Sequence, residues 1–209
     1  YAGVAVDAKG NVLAGWWGFS GCCDRSESVQ YRWRDPQGNW GPVQKMVAHW
    51  SSTPRVRQFQ DKFYLMWQNN NDTWKVSGPV EAGSAFTTEG AVALGSEALG
   101  MRSQNEGGNF NIGPNGAFAA AGNIRTGSGD DPIGIWASVV TDGKAEATFL
   151  GPFAETNHHD QSAMHPEIVF DAETGMVVVV THVQNTNKAY YATYQNGEWS
   201  DYSRLYPEG

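Results

Sequence analysis

Side chains suited to acid–base chemistry concentrate in three polar segments, 48–52, 100–109 and 156–165, which are also rich in Asn, Gln, Gly and Ser. Hydrolysis of a glycosidic bond needs two carboxyl groups that flank the bond. A lyase would instead use His or Tyr as base and acid, with Arg neutralising the carboxylate of a uronate. The residues that could fill these roles are His49, His165, Glu106, Asp160, Glu167 and Arg102.

Aromatic and polar side chains in the same segments, and in the cysteine-containing segment 18–28, are suited to holding a sugar. Trp50 lies beside His49 and offers a large ring with a polar N–H, a surface on which a sugar ring can stack. Polar groups carried by loops on a rigid β scaffold commonly form binding sites. We therefore predict ligand contact for Trp50, Cys22, Cys23, Asp24, Arg25, Asn105, Asn109, His158 and His159.

The only two cysteines of the chain are neighbours, in the stretch GFSGCCDRSES at 18–28. Adjacent Cα atoms lie about 3.8 Å apart across a trans peptide, which is below the usual range for a disulfide. A bond between Cys22 and Cys23 would close an eight-membered ring with a twisted or cis peptide, and it would give a flat apolar platform for a sugar face. The alternatives are two reduced thiols, or a strained pair that only stiffens the loop.

The histidines of 156–165 also raise the question of a metal ion. His158, His159, Asp160 and His165 are donors of the kind that bind zinc, but no H-x-H or H-E-x-x-H spacing is present. GSGDDP at 127–132 and NNND at 69–72 could hold calcium, although ordinary turn chemistry explains both stretches. We expect polar or ligand-contacting histidines and no cofactor, with calcium as the alternative.

The composition describes a β-rich, acidic protein. The 209 residues include 14 Lys and Arg against 22 Asp and Glu, and the resulting net charge of -8 argues against a nucleic acid partner. There are 25 glycines and 9 tryptophans, and no segment of helical length shows a sustained 3.6-residue period. No apolar run is long enough to span a membrane. Because the chain starts with Tyr1 rather than Met, we expect a processed mature form or an excerpt of a longer, secreted protein.

A repeat of about fifty residues organises the chain. The stretch 1–17 resembles 165–183, and both have a strand, an Asp-containing turn and a more apolar strand. The stretches 53–68 and 109–123 fit the same template, and each unit continues with two further strands. This pattern predicts an all-β fold, a β-propeller of about four blades with four antiparallel strands each, and a β-sandwich is the alternative. We predict a single domain over 1–209, with blades at about 1–48, 49–100, 101–156 and 157–209, which either closes by itself or belongs to a larger propeller.

Two tight turns resemble those of a known family. RDPQGNW at 34–40 and YQNGEWS at 194–200 look like degenerate Asp-box turns of the sialidase-like, BNR-repeat propellers. The resemblance implies a propeller in which these turns are structural and lie opposite the ligand face. It does not extend to sialidase chemistry, which uses an arginine triad, a Tyr nucleophile with its Glu, and a catalytic Asp. The arginines that could form a triad are scattered, at Arg25, Arg55, Arg102 and Arg125.

These observations predict an extracellular, lectin-like propeller that binds an oligo- or polysaccharide on its loop-rich face. The loops that precede the repeat units differ strongly from one another, which favours the alternative of a carbohydrate-active enzyme with one central site. That enzyme would be a glycoside hydrolase or a polysaccharide lyase. A third reading is an adhesion or structural module.

Overall fold

Alternating polar and apolar residues, interrupted by glycine and Asp-containing turns, form strands, which are nearly all of the regular secondary structure in the described part of the chain. The computed structural model describes residues 2–18, 28–48, 54–68, 73–94, 108–124, 134–151, 163–183 and 188–206. One 3-10 turn, Pro114–Gly116, lies between β9 and β10. The strands are β1 (Ala2–Val6), β2 (Val12–Gly18), β3 (Ser28–Arg34), β4 (Gln44–Ala48), β5 (Arg55–Phe59), β6 (Lys62–Gln68), β7 (Trp74–Val80), β8 (Val92–Ala93), β9 (Asn109–Ile112), β10 (Phe118–Ile124), β11 (Gly134–Thr141), β12 (Lys144–Leu150), β13 (Ala163–Phe170), β14 (Val177–Val183), β15 (Ala189–Gln195), β16 (Glu198–Trp199) and β17 (Ser203–Arg204).

The strands form four antiparallel sheets, and within each sheet consecutive strands are neighbours. The orders are β1-β2-β3-β4, β5-β6-β7-β8, β9-β10-β11-β12 and β13-β14-β15-β16, and β17 also pairs with β15. The prediction of an all-β chain built from four-stranded units is confirmed. We call the first strand of each sheet its inner strand and the fourth its outer strand.

The outer edge of the last sheet differs from the sequence prediction. A single strand was expected after the Asn-Gly turn, whereas the structure has two short strands, β16 and β17, that both pair with β15. Ser200 interrupts them, because its Oγ accepts the backbone N–H of Thr193 at 3.0 Å while its own N–H donates to the Thr193 carbonyl at 2.7 Å. A side-chain oxygen therefore replaces a backbone acceptor, and the ladder is broken at that point.

Aspartates anchor the hairpin turns at the ends of β1 and β3. Asp7 Oδ1 accepts the backbone N–H groups of Lys9 and Asn11, at 3.0 and 2.8 Å, and Asp7 Oδ2 accepts Asn11 Nδ2 at 2.8 Å. Asp35 makes the equivalent pair of bonds with Asn39, at 2.7 and 2.9 Å. Both turns share the pattern Asp-x-x-Gly-Asn, so a local sequence signal closes the β1–β2 and β3–β4 hairpins of the first sheet.

The chain divides into two compact units, Tyr1–Ala93 and Leu94–Gly209, and each has its own apolar core. In the first unit Trp33 packs edge-on against Phe63, with ring centroids 4.8 Å apart. The core of the first unit comprises Leu13, Val29, Tyr31, Trp33, Val56, Phe63, Leu65, Trp67 and Phe86. The core of the second unit comprises Ala119, Ala121, Ile135, Ala137, Leu150, Ile168, Val177, Val179, Val183, Tyr190 and Ala192.

The sequence places Trp16, Trp17, Trp67 and Trp136 on predicted strands, where we expect core residues, and the structure follows this expectation only in part. Trp67 and Trp136 are fully buried, whereas Trp17 is 38% exposed, so the prediction for Trp17 is wrong. By the two-residue period Trp17 shares the face of the buried Leu13 and Gly15, but it lies near the end of β2. Among the described residues, no helix has the length and apolar character needed to cross a membrane.

Candidate functional site

Asn109 links two inner strands of the second unit. Its Nδ2 donates to Glu167 Oε2 at 2.5 Å, and its Oδ1 accepts the backbone N–H of Phe110 at 2.9 Å. Asn109 is the first residue of β9 and is 7% exposed, whereas Glu167 lies in β13 and is exposed. The buried amide is therefore held by its own strand and in turn orients an exposed carboxylate on the neighbouring strand.

Asn111 makes a parallel contact two residues later. Its Nδ2 donates to the Ile168 carbonyl at 3.2 Å, and its Oδ1 accepts the N–H of Ile112 at 2.8 Å. Residues i and i+2 lie on one face of a strand, so both amides of β9 face β13. Sequence analysis missed Asn111, although the Asn-Phe-Asn alternation was the available signal. We call the two amides, Asn109 and Asn111, the asparagine clamp. The Asn109 amide donates to a carboxylate, and the Asn111 amide donates to a backbone carbonyl.

Glu167 and His165 are both exposed residues of β13. Exposure alternates along this strand, with His165, Glu167 and Val169 exposed and Pro166 and Ile168 buried. The two-residue period places Glu167 and Val169 on one face, and the register shift between Met164 and Glu167 interrupts this period at His165. Of the residues predicted from the sequence, the structure brings Asn109 and Glu167 into contact, and His165 is an exposed residue of the same strand as Glu167.

A β-bulge fixes His165 in an uncommon backbone conformation. The register of β13 against β14 shifts between Met164 and Glu167, and His165 has a φ of 44°. This left-handed conformation is disfavoured for a residue with a Cβ, and the following Pro166 restricts His165 further towards extended values. Such strain is typically kept where a bulge sets the direction of a functional side chain.

The remaining predicted site residues lie outside the described part of the chain. They are His49, Trp50, Cys22, Cys23, Asp24, Arg25, Arg102, Asn105, Glu106, His158, His159 and Asp160. The vicinal disulfide falls on the same residues and stays a prediction.

The described cluster has the groups for acid–base chemistry but only half of a hydrolytic pair. Glu167 supplies a carboxylate and His165 an imidazole. The Asn109 amide donates a hydrogen bond to Glu167, which orients the carboxylate without a proton transfer. Cleavage of a glycosidic bond requires a second carboxyl group. Within the ranges that the structure describes, no group of three His, Cys, Asp or Glu side chains is placed to hold a metal ion.

Comparison with known proteins places the chain among propeller structures. No protein-family model and no curated protein matches the sequence. The chain is similar to the solved structure of an α-L-arabinanase from Penicillium chrysogenum complexed with arabinobiose, with a TM-score of 0.62 at 11% identity over 98% of this chain and 66% of that one. It is also similar to an exo-β-1,3-galactanase from Clostridium thermocellum, with a TM-score of 0.54 at 13% identity over 97% of this chain and 47% of that one.

A third similar structure is an exo-β-1,3-galactanase from Phanerochaete chrysosporium solved with galactose, with a TM-score of 0.50 at 14% identity over 99% of this chain and 50% of that one. These neighbours are GH43 glycoside hydrolases of the five-bladed-propeller type. The chain thus has a β-propeller fold of about four blades, and it spans between about half and two thirds of the length of these proteins. The likeness does not single out the sialidase-like superfamily.

Proposed function

We propose that the chain belongs to a secreted glycoside hydrolase that acts on an oligo- or polysaccharide. The observation that carries this proposal is the hydrogen bond from the buried amide of Asn109 to Glu167, in a strand that also contains the exposed His165. Support comes from the fold, which is shared with arabinan- and galactan-cleaving enzymes. At this level of identity the similarity supports the fold, and the residues of this chain must supply the chemistry.

In this proposal Glu167 is one of the two carboxyl groups that hydrolysis requires. The Asn109 amide holds Oε2 and so sets where Oε1 points, which provides the fixed geometry that acid–base catalysis needs. We assign the second carboxyl group to the set Asp24, Glu106 and Asp160, which the sequence places in the predicted ligand loops. His165 would contact the substrate or relay a proton beside Glu167.

The test is cleavage of neutral oligosaccharides, read by mass spectrometry. The wild-type protein is expected to release shortened products from at least one of an arabinan, a β-1,3-galactan or a xylan series. Glu167→Gln keeps the shape and the hydrogen-bonding capacity of the side chain but removes the carboxylate, and we expect kcat/KM to fall by about 10²- to 10⁴-fold. Glu173→Gln, in the exposed turn after β13, is the matched control and should leave the rate unchanged.

A lectin-like protein remains the second candidate function, because exposed polar groups on a β scaffold also bind sugars without cleaving them. Retention of the same oligosaccharides with no cleaved product would favour the lectin and reject the hydrolase. Neither retention nor cleavage would leave the adhesion module as the remaining reading. Equal activity of Glu167→Gln and wild type would remove Glu167 from the catalytic pair.

A further inference from the structure

A cleft of about 640 Å³ opens in the second unit, between the outer part of the β9–β12 sheet and the β15–β16 hairpin. Its size lies within the range of about 300–1,000 Å³ that is typical of small-ligand sites. Strands β12 and β16 are each three positions from the inner strands β9 and β13, which at roughly 4.8 Å per strand is about 14 Å. The cleft is therefore separate from the cluster of Asn109, His165 and Glu167.

One wall of the cleft is polar and regular. Lys144, Glu146 and Thr148 alternate along β12, so they project from one face of the strand. Thr141 pairs with Lys144 across the β11–β12 ladder, which brings a further hydroxyl to the same face. This wall offers hydroxyl, carboxylate and ammonium groups, which together can donate to and accept from the hydroxyl groups of a sugar.

The opposite wall is aromatic. Tyr194 and Trp199 are directly paired across the β15–β16 ladder, and their ring centroids are 5.3 Å apart at an angle of 55°. Both rings are partly buried and pack against the core of the second unit, so one side of each ring is held by the protein. The Asn196–Gly197 turn closes the hairpin, with a φ of 56° and 91° at its two residues, as the type I′ geometry requires.

The charge of the cleft selects among sugars. Asp142, Glu146 and Glu198 provide three carboxylates against the single ammonium of Lys144. The excess of negative charge opposes uronates, sulfated sugars and phosphates. A neutral sugar matches both walls, because its polarised C–H face packs on an aromatic ring while its hydroxyls reach polar groups opposite.

We propose that this cleft is a second glycan-binding site, which takes one or two residues of a neutral polysaccharide and holds the polymer on the protein away from the cluster at Glu167. The site goes beyond the proposed hydrolase activity and does not depend on it. Its anchor is Trp199, with Tyr194 beside it and Glu146 as the main polar contact from β12.

The proposal is tested by affinity electrophoresis of the full chain in gels that contain arabinan, β-1,3-galactan, xylan or polygalacturonate. All variants carry Glu167→Gln so that the polymer is not cleaved. Trp199→Ala should weaken retention on a neutral polymer by about tenfold, which is the effect of losing a central aromatic contact. Polygalacturonate should not retain the protein at all.

Trp40→Ala is the matched control. Trp40 occupies the position of Trp199 in the β3–β4 hairpin of the first sheet, and it is exposed over 44% of its surface with the Arg32 guanidinium above its ring. Its removal should change retention by less than about twofold. Since Trp199 also packs on the core, Glu146→Gln serves as a second variant at an exposed position, with an expected loss of about threefold.

Equal retention of Trp199→Ala and the parent, or equal losses in the Trp199 and Trp40 variants, would overturn the proposal. If Trp199→Ala does not fold, unchanged retention of Glu146→Gln overturns it instead. The proposal is also overturned if the Glu167→Gln parent is not retained by any neutral polymer. The hydrolase proposal is judged separately, by cleavage of short oligosaccharides with Glu167 intact, where Trp199→Ala is expected to match wild type.

Discussion

Asn109 and Asn111 make the same pattern of bonds but differ in what their amides hold. Both accept the next backbone N–H on their own strand and donate across to β13. Asn109 ends on the Glu167 carboxylate, whereas Asn111 ends on the Ile168 carbonyl. The clamp thus separates two roles, since one amide orients a side chain and the other only joins two strands.

Removing the Asn109 amide should act on turnover more than on binding. In Asn109→Ala we expect kcat to fall by about tenfold, equivalent to about 1.4 kcal/mol in the barrier, with KM changed by less than about twofold. The physical reason is that Glu167 loses the donor that fixes Oε2 and samples other orientations. Steady-state kinetics on the oligosaccharide cleaved by wild type would measure both parameters.

Asn111→Ala supplies the control for this positioning role. It removes a bond of the same type between the same strands, so both variants should lose a similar free energy of unfolding, about 1 kcal/mol. Only Asn109→Ala should lose turnover. An equal fall of kcat in both variants would mean that the clamp acts through strand packing and not through Glu167.

At the scale of single elements, hydrogen bonds in the hairpin turns lower the pKa values of aspartates. Burial raises the pKa of Asp7, but the hydrogen bonds from Asn11 and the backbone of Lys9 outweigh burial and hold the pKa below its ordinary value of 3.8. Hydrogen bonds from Asn39 likewise lower the pKa of Asp35, and bonds from the backbone and hydroxyl of Thr174 lower that of Asp171. Ionised aspartates therefore stabilise these turns.

The Asp7 turn predicts a defined pH dependence of stability. Because the folded-state pKa is lowered, the contribution of Asp7 is complete above its unfolded pKa and is lost as the pH falls through the folded value. Asp7→Asn should reduce the free energy of unfolding by about 1–2 kcal/mol near neutral pH. The difference from wild type should shrink as the pH falls below about 5, as measured by urea unfolding.

Asp201→Asn, at an exposed position near the end of the chain, is the reference for a general effect of removing one negative charge. Asp201→Asn should leave the free energy of unfolding nearly unchanged at neutral and at acidic pH. A difference between Asp7→Asn and wild type that stays constant with pH would show that the turn is held by geometry and not by the charge of Asp7.

The elements that were predictable from the sequence are those closed by local signals. Asp-x-x-Gly-Asn and Asn-Gly turns, together with two-residue alternation, identify the hairpins without reference to the rest of the chain. The bulge at His165 and the break at Ser200 were not predictable, because each depends on a contact with a neighbouring strand. The prediction that Trp17 is a core residue was wrong because the strand pattern does not say how far along β2 the buried face is covered.

The candidate site likewise has features that were predictable from the sequence and features that were not. Asn109, His165 and Glu167 could be named in advance because their residue types suit the chemistry, and the repeat places them near the start of inner strands. The contact between Asn109 and Glu167 joins residues far apart in sequence and follows from the packing of β9 beside β13. The cleft at Trp199 escaped sequence analysis entirely, since its walls come from two different sheets.

At the scale of the whole molecule, stability should rest on the two separate cores. Leu65 is fully buried in the core of the first unit, and Leu65→Ala is expected to lower the free energy of unfolding by about 3 kcal/mol through lost burial and the resulting cavity. Val43→Ala, at a site in the same unit that is 48% exposed, should cost less than about 0.5 kcal/mol. Urea unfolding followed by tryptophan fluorescence measures both.

A loss below about 1 kcal/mol for Leu65→Ala would show that the site collapses around the smaller side chain. A comparable loss for Val43→Ala would contradict the assignment of the core, because an exposed methyl pair transfers little apolar surface on unfolding.

The Asp-anchored turns also bear on how such a chain diverges. Each hairpin of this kind depends on an Asp, a Gly and an Asn within five positions, and the strands between them require little more than alternation. Mutational drift can therefore replace most positions while the architecture persists, which accounts for a shared fold at 11% identity. The strand ends opposite these turns do not require the Asp, Gly and Asn that the turns need. A lineage with this scaffold can change the residues beyond one end of the first sheet while the Asp-anchored turns at the other end keep its hairpins folded.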